Sequence, residues 1–322
     1  MKKINETLYS IRFIACLLII LIHASFPGAL GAIGTYTARF AVPFFFMVSG
    51  YFGYQVTREK LKQRRSRIAA LCAKAFIGYF LLYMVIGWYN HMLPELWQSV
   101  SEPQNILLFL FCNWTTPLVG VGHLWYLFAI WYVYFIVPHI MTERAWHFTY
   151  IFAVVALLLA YGFQIFNHFG HLHWLNIYWR NFLFEGLSMY AIGHYLHKLK
   201  LEKKVTKEFL FGIGGGTAVL YVLEGFLNRG GGFELYLSSI GISITLFLYA
   251  LLYPNISTLA RIGKKYTTDI YIMHYAAIVV FTKIFHLQEH ILARCLWPII
   301  IFLATISVIF LWNKFTIKIR HE

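Results

Sequence analysis

Apolar runs long enough to cross a lipid bilayer recur along almost the whole chain. They fall near residues 8–26, 37–54, 67–90, 122–140, 147–166, 178–197, 208–228, 235–253, 267–285 and 291–312. About 20 apolar residues in helical form span the hydrocarbon layer. The pattern therefore predicts an all-α, polytopic integral membrane protein with ten transmembrane helices. The shorter stretch 105–116 reads as a re-entrant or interfacial piece ahead of the fourth helix. Composition agrees: 60% of the residues are hydrophobic and only 12% are charged, against about 25% charged in a soluble domain. A chain with so few polar side chains cannot cover a water-facing surface. A soluble enzyme, a disordered chain and a secreted disulfide scaffold are excluded on that ground. The loops are short and no linker interrupts the pattern, so residues 1–322 read as one membrane domain. Gly214, Gly215 and Gly216 lie inside the seventh run with no strand before them, which suits a close-packing surface or a kink rather than a phosphate loop.

The basic residues set a topology. The chain carries 27 Lys and Arg against 13 Asp and Glu, a net charge of +14. In a soluble protein that excess would suggest nucleic acid. Here the cations fall between apolar runs, so they read as topology signals and contacts to anionic lipid headgroups, with no nucleic-acid partner. With the N-terminus inside, 20 of the 27 fall in cytoplasmic segments, including Lys2, Lys3, Arg58 to Arg67, Arg144, Lys198 to Lys207, Arg261 to Lys265, Lys314, Lys318 and Arg320. The outer side receives Arg39, Arg180, Arg229, Lys283 and Arg294. This asymmetry predicts both termini in the cytoplasm. Lys2 and Lys3 before an apolar run also resemble a signal peptide, but a disposable leader has no need of the Arg and His that the first run carries. Cys16, Cys72, Cys112 and Cys295 are scattered without metal-ligand or disulfide spacing. The loosely spaced His168, His171 and His173 do not make a convincing metal site either.

Ionisable residues at membrane depth are costly and mark functional sites by default. Arg12 and His23, both in the first helix, are 11 residues apart. Eleven steps of about 100° bring them to one face, about 16 Å apart along the axis. Arg12 then lies near the cytosol and His23 in the outer half. A guanidinium at the inner end can hold an anionic group such as a phosphate; an imidazole further out can act on a reacting group. Equally, Arg12 can snorkel to headgroups and His23 can bridge to a neighbouring helix.

Four further clusters have paired readings. Lys62-Gln63-Arg64-Arg65-Ser66-Arg67 is either a stop-transfer anchor or a phosphate clamp, with Arg64 and Arg67 on one face at i, i+3 spacing. His123-Leu124-Trp125-Tyr126-Leu127 is either an aromatic belt or a substrate contact. In Arg180-Asn181-Phe182-Leu183-Phe184-Glu185-Gly186, Glu185 is the carboxylate expected to orient a protonatable His23, or else to pair with Arg180 or backbone. In Tyr271-Ile272-Met273-His274 the His is either a packing contact or a site residue.

Taken together these residues resemble the acyltransferase-3 family of integral membrane acyltransferases, over essentially the whole chain. Arg12 and His23 match its Arg-x10-His pair. Val42-Pro43-Phe44-Phe45-Phe46-Met47-Val48-Ser49-Gly50-Tyr51 is similar to its second-helix signature, and Arg64-x-x-Arg67 to its third-helix arginine motif. The segments 123–127, 180–186 and 270–274 follow in the family's order. Two positions depart from the pattern: Ala69, Ala70 and Leu71 stand where a proline often follows the arginines, and Asp269 stands where a small hydroxyl residue is common.

The resemblance implies transfer of an acyl group, usually acetyl, from cytosolic acyl-CoA to an extracytoplasmic acceptor, typically a hydroxyl of a cell-surface carbohydrate or lipid-linked sugar. By position, His23 is the catalytic base. Arg12, Arg64 and Arg67 contact the phosphates of acetyl-CoA, the co-substrate, and no metal is required. His123, Trp125, Arg180 and His274 fall to the acceptor side, with Glu185 beside the base. The absence of an SGNH-type domain after the last helix points to the stand-alone form of the family. A bacterial cytoplasmic membrane is the expected location. The competing reading is a transporter of a polar solute, an amino acid or a sugar, with the same buried Arg and His lining its path. A purely structural membrane protein gives no reason to bury Arg12.

Overall fold

The computed structural model describes residues 5–115, 122–227, 233–256 and 258–319, and every regular element among them is helical. Contacts gather the chain into two compact units, one formed by Met1–Ala41 with Tyr253–Glu322 and the other by Val42–Leu252. Lys2, Lys3, Arg229 and Arg320, used above as topology markers, lie outside the described residues.

The first unit opens with α1 (Glu6–His23) and α2 (Gly28–Ala38). Asn5 caps α1 by accepting from Leu8 N–H at 2.8 Å, which satisfies one of the donors a helix start leaves open. Pro27 lacks the N–H that would close another turn on His23 O, so the helix stops at His23. Gly28 then supplies a left-handed φ of +68° for the turn into α2.

The second unit contains α3 (Ala41–Tyr51), α4 (Arg58–Tyr89), α5 (Leu93–Ser101), α6 (Pro103–Cys112), α7 (Trp125–Ile136), α8 (Glu143–Phe169), a π-helical segment (Phe182–Leu187) running into α9 (Ser188–Lys198), α10 (Lys207–Leu227) and α11 (Leu237–Leu252). The chain returns to the first unit with α12 (Ala260–Lys283), the five-residue α13 (Ile291–Cys295) and α14 (Trp297–Ile319).

In the first unit α1 packs along α12. A Cβ at Gly263 would lie 2.1 Å from Tyr9 O, so only glycine admits this approach. Cys16 S–H donates to Thr267 O at 3.2 Å. The start of α1 is tied to the 253–256 turn: Glu6 N–H donates to Pro254 O at 2.8 Å, Ser10 Oγ to Ile256 O at 3.1 Å, and Thr7 Oγ1 to Tyr253 O.

In the second unit α3 and α9 touch backbone to backbone. A Cβ on Gly50 would fall 1.9 Å from Tyr190 O, and one on Gly193 1.9 Å from Met47 O. Small residues permit such contact between membrane helices, where dispersion rather than water exclusion holds them together. The aromatic run of α3 is core: Phe44 and Phe46 are fully buried, and Phe46 meets Tyr126 at 4.7 Å.

Among the described residues, five segments are long and apolar enough to cross a membrane: Glu6–His23, Gly28–Tyr51, Arg58–Tyr89, Glu143–Phe169 and Lys207–Leu227. They leave rows of apolar side chains uncovered, for instance Ile77, Leu81 and Val85 on α4 and Val219, Val222 and Leu223 on α10. Surfaces of this kind are the mark of a membrane protein. All ten apolar runs carry helix, but the other five are shorter, broken or more polar. α7 has 12 residues, α9 is preceded by the π-segment, and α12 carries Lys264, Lys265 and Asp269.

Three bounds differ from the sequence expectation. The second segment starts at Gly28 rather than 37 and breaks after Ala38, where Pro43 cannot donate to Arg39 O. The third starts at Arg58 rather than 67, because Thr57 accepts from Lys60 N–H at 3.4 Å and caps a charged but helix-favouring first stretch. Of the stretch 105–116, residues 105–112 belong to the 10-residue α6, ended by Asn113 in a left-handed conformation, and residue 116 lies outside the described residues. Within α10, a Cβ on Gly214 would meet only a Thr245 methyl, at 3.5 Å, and those on Gly215 and Gly216 would meet nothing within 4 Å. The glycine run is thus continuous helix, and the close approach on this pair of helices occurs instead at Gly241, against Thr217.

Gly193→Ala should lower stability in detergent by at least about 3 kcal/mol, because the obstacle is backbone and cannot move aside. Gly216→Ala should leave the melting temperature unchanged or raise it. Thermal unfolding followed by size-exclusion chromatography checks both.

Candidate functional site

In the first unit, α1 runs unbroken from Glu6 to His23, so Arg12 and His23 do share one face, separated by about 16 Å of helix rise. Arg12 is half-buried. Its guanidinium lies 5.6 Å from the Tyr9 ring, and its Nε is buried with no hydrogen-bond partner among the described residues. A buried guanidinium N–H left open is costly. It is the kind of group that an anion would satisfy.

His23, at the last position of α1, is half-buried. Its ring stands 5.4 Å from the His274 ring and 5.4 Å, edge-on, from Tyr275. His274 is fully buried on α12, with Nδ1 3.1 Å from Ile270 O. A carbonyl oxygen only accepts, so Nδ1 carries the proton in that bond and the tautomer is fixed. The structure thus brings together two of the expected site residues, His23 and His274, and adds Tyr275, which sequence reasoning missed.

The second unit holds the remaining expected residues. Glu185 is 4% exposed and rides on the π-helical segment; such segments are rare and often occur at functional sites. Asn181 caps this segment: its Oδ1 accepts from Leu183 N–H and Phe184 N–H, each at 2.9 Å, and its Nδ2 donates to Ile177 O at 2.8 Å. Asn113 reaches across from the end of α6, accepting from Phe182 N–H at 2.7 Å and donating to Trp125 O at 3.3 Å.

Arg180 forms an ion pair with Glu234 at 2.7 Å, and its guanidinium lies over the Trp125 ring at 5.1 Å. Asn176 Nδ2 donates to the same Glu234 oxygen at 3.0 Å. His123 is 3% exposed and packs edge-on against Tyr79 at 4.7 Å.

Arg64 and Arg67 have different surroundings. Arg64 is half-buried and donates to Phe52 O at 3.0 Å, while Arg67 is exposed beside Lys62, Gln63 and Ser66. Between them in sequence, Arg65 stacks on Phe135 at 4.3 Å.

Two acids and one amide escaped the sequence reading. Glu224, 1% exposed inside α10, accepts from Leu237 N–H and Ser238 N–H at 2.9 Å each, and so caps α11 from a neighbouring helix. Gln164 on α8 accepts from Glu234 N–H at 2.7 Å and Leu235 N–H at 3.0 Å and donates to Leu235 O at 2.7 Å, which fixes the backbone that carries Glu234. The signal for Glu224 and Gln164 was available: each is a strongly polar residue inside an apolar run. Glu234 gave no such signal. Among the described residues, no three His, Cys, Asp or Glu side chains gather in a way that could hold a metal ion.

The acyltransferase-3 family model, described as an acyltransferase domain, matches residues 6–313. The chain belongs to the acyltransferase-3 family. The match runs through both units. No curated protein and no solved structure matches the chain significantly. Membership makes the protein a membrane acyltransferase in general terms and does not favour a solute transporter.

Asn181→Ala should destabilise the protein by about 1 kcal/mol, the usual cost of a lost helix-start acceptor, read as a lower unfolding temperature in detergent. Asn181→Asp, which keeps the accepting oxygen, should hold most of that stability.

Proposed function

We propose that this acyltransferase moves an acyl group, acetyl in the simplest case, from cytosolic acetyl-CoA to a hydroxyl of an extracytoplasmic acceptor, a cell-surface carbohydrate or lipid-linked sugar. The observation that carries the proposal is the pairing on α1, in a chain of this family, of an inner guanidinium with an open buried N–H and an imidazole some three turns further out. An extended phosphopantetheine arm suits that separation, with its anionic end at Arg12 and its thioester toward His23. Arg64 and Arg67 take the role of further donor-phosphate contacts by their family positions. The proposed orientation is ten crossings with both termini in the cytoplasm of a bacterial inner membrane. It rests on the cation asymmetry of the loops.

The chemistry follows from an imidazole acting as general base. His23 takes the proton from the acceptor hydroxyl as its oxygen attacks the thioester carbonyl. The C–O bond forms, the C–S bond breaks, and the proton passes from His23 to the departing thiolate of CoA. Charges and atoms balance without a metal or an acyl-enzyme. The tautomer-fixed His274 and the edge-on Tyr275 hold the His23 ring in place. Glu185 is proposed as a further site residue, as a carboxylate buried on a π-helical segment. Trp125 with Arg180, and His123, are assigned to the acceptor: the first two offer an aromatic face and a guanidinium, both of which suit a sugar.

His23→Ala should lower transfer of labelled acetyl from acetyl-CoA into the membrane carbohydrate fraction by roughly 10²- to 10⁴-fold. Binding of acetyl-CoA and the unfolding temperature should change little. Transfer at the wild-type rate would remove His23 from the chemistry.

A further inference from the structure

A cavity of about 200 Å³ opens inside the second unit, at the end of its helices that carries the start of α4. It lies between the loop after α3, the start of α4, the turn between α7 and α8, and the end of α9. None of its lining residues belongs to the candidate site above. That end of the unit also carries Arg58, Arg144 and Lys200, basic residues of the kind that collect at the level of lipid headgroups. Part of the wall is rings: Tyr54 from the loop, and Trp146 and Tyr150 from early in α8. A carboxylate, Glu143, and an ammonium, Lys198, also line it.

The rings are held in place. Trp146 stacks on His194 with centroids 3.6 Å and planes 14° apart, and both side chains are buried. Tyr150 OH and His194 Nδ1 lie 2.8 Å apart in a hydrogen bond. Tyr54 stacks on His197 at 4.8 Å, and His197 Nδ1–H donates to Tyr51 O at 2.8 Å. A box of fixed aromatic rings with a carboxylate beside it is the arrangement that takes up an ammonium ion, through the negative ring faces and the opposite charge. Lys198, whose Nζ is 5.9 Å from the Tyr150 ring centre, offers a cation for a phosphate. Glu143 and Lys198 form no ion pair with each other among the described residues, so neither charge is spent on the other.

Size and surroundings decide what kind of molecule carries these two charges. The cavity is smaller than the ~300–1,000 Å³ of a pocket for a whole small ligand, so it suits a head without its body. The body has a place on α8. Trp146, Tyr150, Val154 and Leu158 follow one another at four-residue steps, which sets them in one row along the helix. The first two are cavity rings, and the last two are 57% and 56% exposed. An apolar track therefore leads out of the cavity along a helix that is long and apolar enough to cross a membrane.

We propose that the cavity seats the headgroup of a phospholipid with an ammonium head, of the phosphatidylethanolamine class. Its ammonium lies in the ring box beside Glu143, its phosphate at Lys198, and one acyl chain along Val154 and Leu158. The site stands independently of the acyl-transfer reading.

Native mass spectrometry of the purified full chain in detergent tests this, with dioleoyl phosphatidylethanolamine, dioleoyl phosphatidylglycerol and free phosphoethanolamine as probes. The wild type should retain phosphatidylethanolamine at least about tenfold more tightly than phosphatidylglycerol, the scale of one ammonium held by aromatic rings and a carboxylate. Glu143→Gln, which removes the charge at an exposed position, and Met141→Trp, which fills the cavity from its lining, should each bring the two lipids to equal affinity and leave phosphatidylglycerol binding unchanged. Equal retention of the two lipids by the wild type would overturn the proposal. So would a preference that survives in either variant, or variants that lose both lipids alike, the mark of a general structural effect. Free phosphoethanolamine that displaces the lipid at matching concentration would reassign the cavity to a soluble zwitterion and overturn the lipid assignment.

Discussion

In a chain this apolar, the cost of leaving a polar group without a partner governs where everything else goes. The second unit shows the constraint being met. Glu224 would be prohibitively placed inside α10 but for the two N–H groups of α11 that its carboxylate accepts. Gln164 exhausts three of its hydrogen-bonding positions on one short backbone stretch. Asn113 and Asn181 together close the head of the π-segment that carries Glu185. These side chains work as connectors between helices that share little sequence-local contact. The fold around Arg180 and Glu185 is set by them rather than by apolar packing alone.

Other buried groups stay open: in the first unit Thr282 Oγ1, Trp297 Nε1 and Arg12 Nε have no partner among the described residues, and of these three Arg12 carries the charge. Arg12 Nε is buried with nothing to donate to among the described residues. Snorkelling alone would carry the guanidinium to water or headgroups and would not bury its Nε. The opening at Arg12 and the His23, His274 and Tyr275 group at the other end of α1 are held by the same pair of helices. That pair is locked where Gly263 lets α12 reach the backbone of Tyr9. Arg12 and His23 are thereby held at a constant separation on one helix, the kind of fixed spacing that orients groups for binding or chemistry.

Much of this was legible in the sequence, and the remainder has identifiable reasons. Apolar periodicity gave the all-helical class, and the spacing of Arg12 and His23 gave a shared face, because both depend only on helix geometry. The family followed from motifs in order, and the match over residues 6–313 shows it. The start of α4 at Arg58 was missed because apolar runs do not report the charged, well-capped turns that precede them. The shortness of α7 and the π-segment before α9 could not be foreseen, because apolar content is blind to local helix type. Arg64 and Arg67 share a helix face by spacing yet meet different surroundings, since only the neighbouring loop decides that Arg64 bonds Phe52 O. A cavity in the second unit lined by Tyr54, Trp146 and His194 was invisible for the same reason: the three come from separate segments, and no spacing joins them.

The central claim is that the open guanidinium on α1 holds the phosphate end of an acyl-CoA donor. Titration calorimetry of acetyl-CoA into purified wild type and Arg12→Ala tests it most directly. Micromolar binding by the wild type, weakened by about tenfold or more in the variant, the scale of one lost charged hydrogen bond, is the predicted result. A well-folded wild type that binds neither acetyl-CoA nor longer acyl-CoAs, or an Arg12→Ala variant that binds acetyl-CoA as tightly as the wild type, would contradict it.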